Sequence, residues 1–305
     1  MLEFPRRALL AGAAASIACA CTPGTSRREA AVPRNTAAQP RPAAENGFDR
    51  LTFWDDFDSL DTIDIDNTGD PGFNWYVYRG KRPPIPKTDL RISDSVLTFT
   101  PTYDGYLVTA YKPLTPALPT VGRTFAGGGY FEARMSFAPK DPGLGKRWPA
   151  FWLFDILVSA AIRDGTPENF RGAEFDIMDL YIYGGPPLWG VHDWTVNTGG
   201  ANLDIQNDNY KTSLTGIDYT KMNVWGGLWV PMARNKGRGL VRLFVNGEHI
   251  AENDVTYGAT GPANPGASPQ NPNGAFSILD RNQMVMLIGS GIGWPINVDY
   301  IMVWQ

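Results

Sequence analysis

The sequence predicts an all-β chain folded as a two-sheet antiparallel sandwich of jelly-roll type. Three observations carry that expectation. Short alternating apolar and polar runs recur from Leu51 to the C-terminus, divided by Gly, Pro, Asn and Asp turns. Asn246-Gly247 stands between two such runs and is the dipeptide of a tight type I′ hairpin. No heptad, internal repeat or alternation of strand and helix patterns is present, which excludes coiled coils, solenoids and parallel α/β sheets.

The start of the chain does not read as fold. In residues 1–21, Arg6-Arg7 precedes an alanine-rich apolar run ending at Cys21, the pattern of an export signal. The paired arginines fit the twin-arginine route and an ordinary secretory signal alike. The run is too short and too rich in alanine for a membrane span. Cys19 and Cys21 are the only cysteines, and their surroundings loosely resemble a bacterial lipoprotein cleavage site. Lipidation at either residue and plain cleavage both fit. The expected location is therefore periplasmic, extracellular or lipid-anchored at a bacterial surface. With no cysteine downstream, neither a structural disulfide nor a Cys-based metal site is expected. Residues 22–46 are Pro, Ala, Arg and Thr with almost no large apolar residue, the composition of a disordered linker. The fold is expected over 47–305 as one domain, long enough for a single large core, and as a monomer.

Residues 1–46 hold six of the 27 basic and three of the 31 acidic residues, so the remainder carries a formal net charge of −7. No basic stripe is present, which argues against nucleic acid or an anionic membrane as partner. A strongly acidic polysaccharide is mildly disfavoured for the same reason.

The strands follow in order. Leu51–Phe57 opens the domain. Asp89–Thr100 reads as two strands around a Ser93-Asp94-Ser95 turn, with Leu97 and Phe99 on one face. Gly105–Lys112 is another strand. In Gly129–Ala138, Tyr130, Glu132, Arg134 and Ser136 face one way, and Phe131, Ala133, Met135 and Phe137 the other. Glu132 and Arg134 read as a structural polar pair. An apolar stretch runs from Trp148 to Asp155, and Ile156–Ile162 is the one helical candidate. Glu174–Tyr183 and Leu188–Val196 are strands joined by a Gly-Gly-Pro-Pro turn. Val224–Met232, Leu240–Val245, Glu248–Ala251, Met284–Ile288 and Val298–Trp304 complete the strands, with a proline-rich loop over Gly258–Gly274.

Glu174-Phe175-Asp176-Ile177-Met178-Asp179 places three carboxylates in an otherwise apolar strand. Alternation sets Glu174 and Asp176 on one face, opposite Phe175 and Ile177. It would set Asp179 with the apolar pair, unless one extra residue at Ile177-Met178, a β-bulge, returns it to the acidic face. Like charges on one strand face cost stability. Glycosidic bond hydrolysis uses two flanking carboxyl groups, about 5–5.5 Å apart in retaining enzymes. A third acid between them splits their protonation. By spacing alone an exposed acidic strand face and a catalytic one both fit.

Six stretches in order resemble family 16 glycoside hydrolases, the laminarinase-like β-glucanases and their relatives. They are Trp54-Asp-Asp-Phe57, Gly129-Tyr-Phe-Glu-Ala-Arg134, Trp148-Pro-Ala-Phe-Trp152, Val191-His192 after the acid strand, Gly227-Leu-Trp-Val-Pro231 and Val298-Asp-Tyr-Ile-Met-Val-Trp304. The family's Glu-x-Asp-x-x-Glu corresponds to Glu174-x-Asp176-x-x-Asp179. The resemblance implies a concanavalin-type jelly roll with a concave sugar-binding cleft, and an exported endo-acting hydrolase of β-linked glucan or galactan. It implies Glu174 as nucleophile, Asp176 as assisting acid and Asp179 as acid/base. Asp179 departs from the pattern, being one methylene shorter than glutamate. On an unmoved backbone this widens the carboxyl gap by about 1–1.5 Å, toward the inverting range. A non-catalytic, lectin-like carbohydrate-binding protein on the same fold is the alternative.

Sugar C–H faces stack on aromatic rings. Trp148 and Trp194 are the preferred platforms. Trp152 is a further candidate, shared with core packing. His192 is a candidate for a hydrogen bond to substrate or carboxylate, and a structural role fits it equally. His249 reads as solvated. No cofactor is required. The resemblance suggests a structural calcium with Asp299 as a ligand, in keeping with hard oxygen donors. The family's closing region has an asparagine facing the cleft where this chain has Gly289.

Overall fold

A computed structural model describes residues 38–77, 85–102, 105–111, 120–139, 149–156, 171–180, 187–196, 203–205, 210–250, 254–257, 279–280, 282–290 and 293–305. Its described strands are β1 (Leu51–Asp55), β2 (Ile63–Asp64), β3 (Trp75–Val77), β4 (Leu90–Ser93), β5 (Val96–Phe99), β6 (Gly105–Val108), β7 (Ala110–Tyr111), β8 (Val121–Gly122), β9 (Gly129–Phe137) and β10 (Ala150–Asp155), then β11 (Arg171–Asp179), β12 (Leu188–Val196), β13 (Leu203–Ile205), β14 (Tyr210–Ser213), β15 (Asn223–Val230), β16 (Gly239–Val245), β17 (Glu248–His249), β18 (Val255–Tyr257), β19 (Met284–Ser290) and β20 (Ile296–Trp304). The helix α1 spans Arg41–Glu45.

These strands build the expected two-sheet sandwich. One sheet runs β17-β16-β15-β9-β20-β5-β4, with β1 also on β20 and β18 on β16. The second, the acid sheet, runs β13-β12-β11-β10-β19-β6-β3-β2, with β14 on β12. Every pair is antiparallel except β2 with β3. The short strands β2, β3, β8, β13, β14 and β18 lie outside the sequence expectation, being too brief to show alternation, and the strand expected over Gly105–Lys112 is divided into β6 and β7. The helical candidate Ile156–Ile162 and the loop Gly258–Gly274 lie almost entirely outside the described residues.

Alternation sorts the side chains into layers. Phe131, Ala133, Met135 and Phe137 enter the central core with Leu97, Phe99, Phe151, Leu153, Phe175 and Trp189. Tyr130 faces outward with Leu228, Phe244, Met302 and Trp304. Two tight turns have the backbone the sequence calls for. Asp94 and Ser95 at φ 53 and 57, and Asn246 and Gly247 at φ 53 and 80, are left-handed at both central positions, as a type I′ turn requires.

The linker expected over 22–46 ends earlier than its composition suggests. Pro42 and Ala43 in α1 are buried. Ala43 joins Phe48, Tyr130, Leu228 and Phe244 in the outward apolar layer. Gln39 donates to the Phe48 carbonyl at 2.9 Å and Asn46 to that of Pro42 at 2.8 Å. Small residues are too weakly apolar to signal this burial in the sequence, yet Ala43 is fully buried.

Candidate active site

The acids lie on β11, and the bulge is present. Across β10 the pairs are Phe154 with Glu174, Leu153 with Phe175, Trp152 with Asp176, then Phe151 with Met178 and Ala150 with Asp179. The register steps over Ile177. Across β12 it shifts between Asp176 and Asp179 as well. Ile177 and Met178 are both fully buried in the central core. Glu174, Asp176 and Asp179 therefore share the face turned away from the core. The energetics favour this. Unbroken alternation would send a carboxylate into a layer of Phe175 and Trp189, at a cost of several kcal/mol. An extra residue in one strand disrupts the ladder only locally.

On that open face, cross-strand partners line up in rows. One row is Leu188, Asp179, Ala150, Gly289 and Tyr106. The next is Gly190, Asp176, Trp152, Leu287, Val108 and Tyr76. A third is His192, Glu174, Phe154 and Val285. Glu174 is half-buried, while Asp176 and Asp179 are 3% and 8% exposed. Gly190 gives Asp176 a neighbour without a side chain.

The other expected site residues divide. His192 holds the position opposite Glu174, and Trp194 the position opposite Gly172. Trp148 lies outside the described residues. Trp152 is on the open face beside Asp176 but only 7% exposed. It meets Tyr106 edge-on, centroids 5.6 Å apart at 81°, so most of its surface is packing. Trp189 is core, edge-on to Phe175.

Tyr106 was missed. A tyrosine in a short alternating strand is unremarkable in sequence; it shares a row with Asp179 only through the pairing of four strands, β6, β19, β10 and β11.

Asp299 accepts from the Arg134 guanidinium. It sits at a register shift in β20, between Val298 and Tyr300. The carboxylate suggested for calcium is thus engaged by a cation, and no group of three or more His, Cys, Asp or Glu side chains able to hold a metal occurs among the described residues. The expected Glu132–Arg134 pair is replaced by two separate contacts. Glu132 accepts from the hydroxyls of Tyr130 at 2.8 Å and Tyr300 at 2.9 Å. Burial raises the Glu132 pKa, the two hydroxyls opposing it. Tyr130 and Tyr300 are themselves raised, by burial first and by Glu132 second. This cluster faces away from the acid sheet. His249, expected to be solvated, is exposed, yet its Nε2 lies 2.6 Å from Asp254 and its ring stacks on Phe244.

No family model matches the sequence, and no curated protein matches it. Solved structures do. Endo-1,3-beta-glucanase from Streptomyces sioyaensis matches with a TM-score of 0.53 and 17% identity, over 83% of this chain and 95% of that one. A 1,3-alpha-1,4-beta-D-galactose-4-sulfate-3,6-anhydro-D-galactose 4 galactohydrolase matches at 0.49 and 15%, over 82% and 92%. An immunostimulatory antigen and pseudo beta-1,3-glucanase of Mycobacterium tuberculosis matches at 0.48 and 17%, over 84% and 98%. Other matched structures are named as kappa-carrageenases, a beta-glucanase, an alginate lyase and a carbohydrate recognition domain. The first match fixes the fold shared with this chain.

Proposed function

We propose that the chain is an endo-acting glycoside hydrolase of a β-linked glucan or galactan. The observation that carries the reading is the bulge at Ile177, which brings Glu174, Asp176 and Asp179 to one face beside an aromatic wall. A strand gains nothing structural from three carboxylates side by side, two of them largely buried. Hydrolysis gains two reacting acids and one that tunes them.

In the retaining course, Glu174 attacks the anomeric carbon as Asp179 passes its proton to the leaving oxygen. The glycosyl ester formed on Glu174 is then opened by water, whose proton returns to Asp179. Asp176, between them, holds the two protonation states apart. No cofactor takes part.

The second reading, a carbohydrate-binding protein that does not cleave, is favoured by one feature: Asp179 is short and nearly buried, so its reach to the glycosidic oxygen is reduced. In either reading the chain is exported by the signal over 1–21, with lipidation at Cys19 or Cys21 and plain release as the two outcomes. No helix among the described residues is long and apolar enough to cross a membrane.

The test is the purified protein against a panel of β-glucans and β-galactans, with reducing ends counted. Glu174→Gln is expected to abolish release from every polysaccharide the wild type cleaves. Undiminished hydrolysis by that variant overturns the assignment.

A further inference from the structure

Tyr106 sits in the row that contains Asp179, three strands away, with only Ala150 and Gly289 between them. A Cβ on Gly289 would lie 2.6 Å from Cδ1 of Tyr106 and 3.2 Å from Cη2 of Trp152. The Tyr106 ring therefore leans back over Gly289 toward the acids and rests edge-on against Trp152. With strands about 4.8 Å apart, this brings the ring to about 10 Å from the acid strand. That is the place of a neighbouring sugar unit rather than the one being cleaved. Tyr106 is half-buried while Trp152 is only 7% exposed. Of the two rings, the tyrosine is the one that meets a ligand and the tryptophan the one that holds it.

The floor beneath is uncharged. Apart from the acids, the described residues from Asp179 and Asp176 across to Tyr106 are Ala150, Gly289, Trp152, Leu287 and Val108. A sulfate or carboxylate lying there meets no cation among them and faces two acids instead.

We propose that Tyr106, seated by Gly289 and braced by Trp152, is the stacking platform for an uncharged hexose unit next to the scissile bond. The proposal rests on the hydrolase reading of the acid strand for the identity of that bond. The platform itself is independent of cleavage.

The experiment measures binding of a neutral β-glucan oligosaccharide by calorimetry in a Glu174→Gln background, where nothing is consumed. Tyr106→Ala is expected to weaken binding by about tenfold, the loss of one aromatic contact, and Tyr106→Phe by less than about threefold. Gly289→Ala keeps the tyrosine but sets a methyl 2.6 Å from its ring and 2.7 Å from the Gly105 carbonyl oxygen, and is expected to weaken binding as Tyr106→Ala does while also lowering the midpoint of thermal unfolding. In the active protein, Tyr106→Ala is expected to raise KM more than it lowers kcat. Wild-type affinity in Tyr106→Ala overturns the proposal, as does absence of binding to any neutral glycan before mutation. Loss of binding in Tyr106→Ala together with hydrolysis that survives Glu174→Gln upholds the platform and overturns the catalytic assignment.

Discussion

Asp179 stands directly opposite Ala150 on the neighbouring strand. Leu188 holds the position on its other side, and Asp179 is 8% exposed.

Asp179→Glu adds the methylene that the glycosidic oxygen calls for. If Asp179 is the proton donor, kcat is expected to rise by about tenfold or more, a modest part of what a well-placed acid contributes. A binding protein gains no hydrolysis from the same change. Initial rates on the best polysaccharide of the panel decide it.

Gly227, on the opposite sheet, faces the bulge. A Cβ there would lie 2.6 Å from Cγ1 of Ile177 and 2.9 Å from Cζ of Phe175. Gly227→Ala is expected to destabilise the fold by about 1–3 kcal/mol through overpacking. Because the displaced residue is the one that turns Asp179 to the open face, kcat is expected to fall more than the affinity for oligosaccharide. Urea unfolding and Michaelis kinetics on one preparation test both.

Glu132 gives stability a pH dependence of known sign. Burial raises its folded pKa above the ordinary 4.5. Between 4.5 and the raised value the folded state holds more protons than the unfolded one, so its contribution to stability falls as pH rises through that window. Glu132→Gln is expected to lose this slope. Relative to wild type, the variant gains stability as pH goes from about 4 to about 7. A difference that stays constant over that range counts against the assignment.

Removing residues 1–38 is expected to leave stability unchanged. Extending the cut through residue 46 removes α1 and uncovers Phe48 and Phe244. That cut is expected to cost about 1–3 kcal/mol, read as a lower midpoint in thermal unfolding.

How much of this was legible in sequence depends on how far apart the partners are. The bulge could be read from β11 alone, because parity left Asp179 on the wrong side of Phe175 and Ile177. The two type I′ turns, at Asp94-Ser95 and Asn246-Gly247, are likewise local. Arg134 with Asp299 was not legible, since it depends on an irregularity in β20 that shifts its register against β9. Nor was Tyr106 with Asp179, which requires β6, β19, β10 and β11 to be aligned in space. The helix α1 was hidden for another reason. Its burial rests on Ala43, a residue whose composition signal is indistinguishable from that of a linker.

The last strand, β20, lies inside its sheet, between β9 and β5, and also receives β1. The first and last strands of the domain are thus hydrogen-bonded from Leu51 opposite Trp304 to Asp55 opposite Ile301. A nascent chain lacks the middle of that sheet until β20 has emerged. Folding in stages from the N-terminus is barred, because the pairings that unite the sheet are those of greatest sequence separation. The sheet closes only once β20 is available to pair with β9, β5 and β1. A premature stop that removes only β20 is accordingly as damaging as one that removes half the domain.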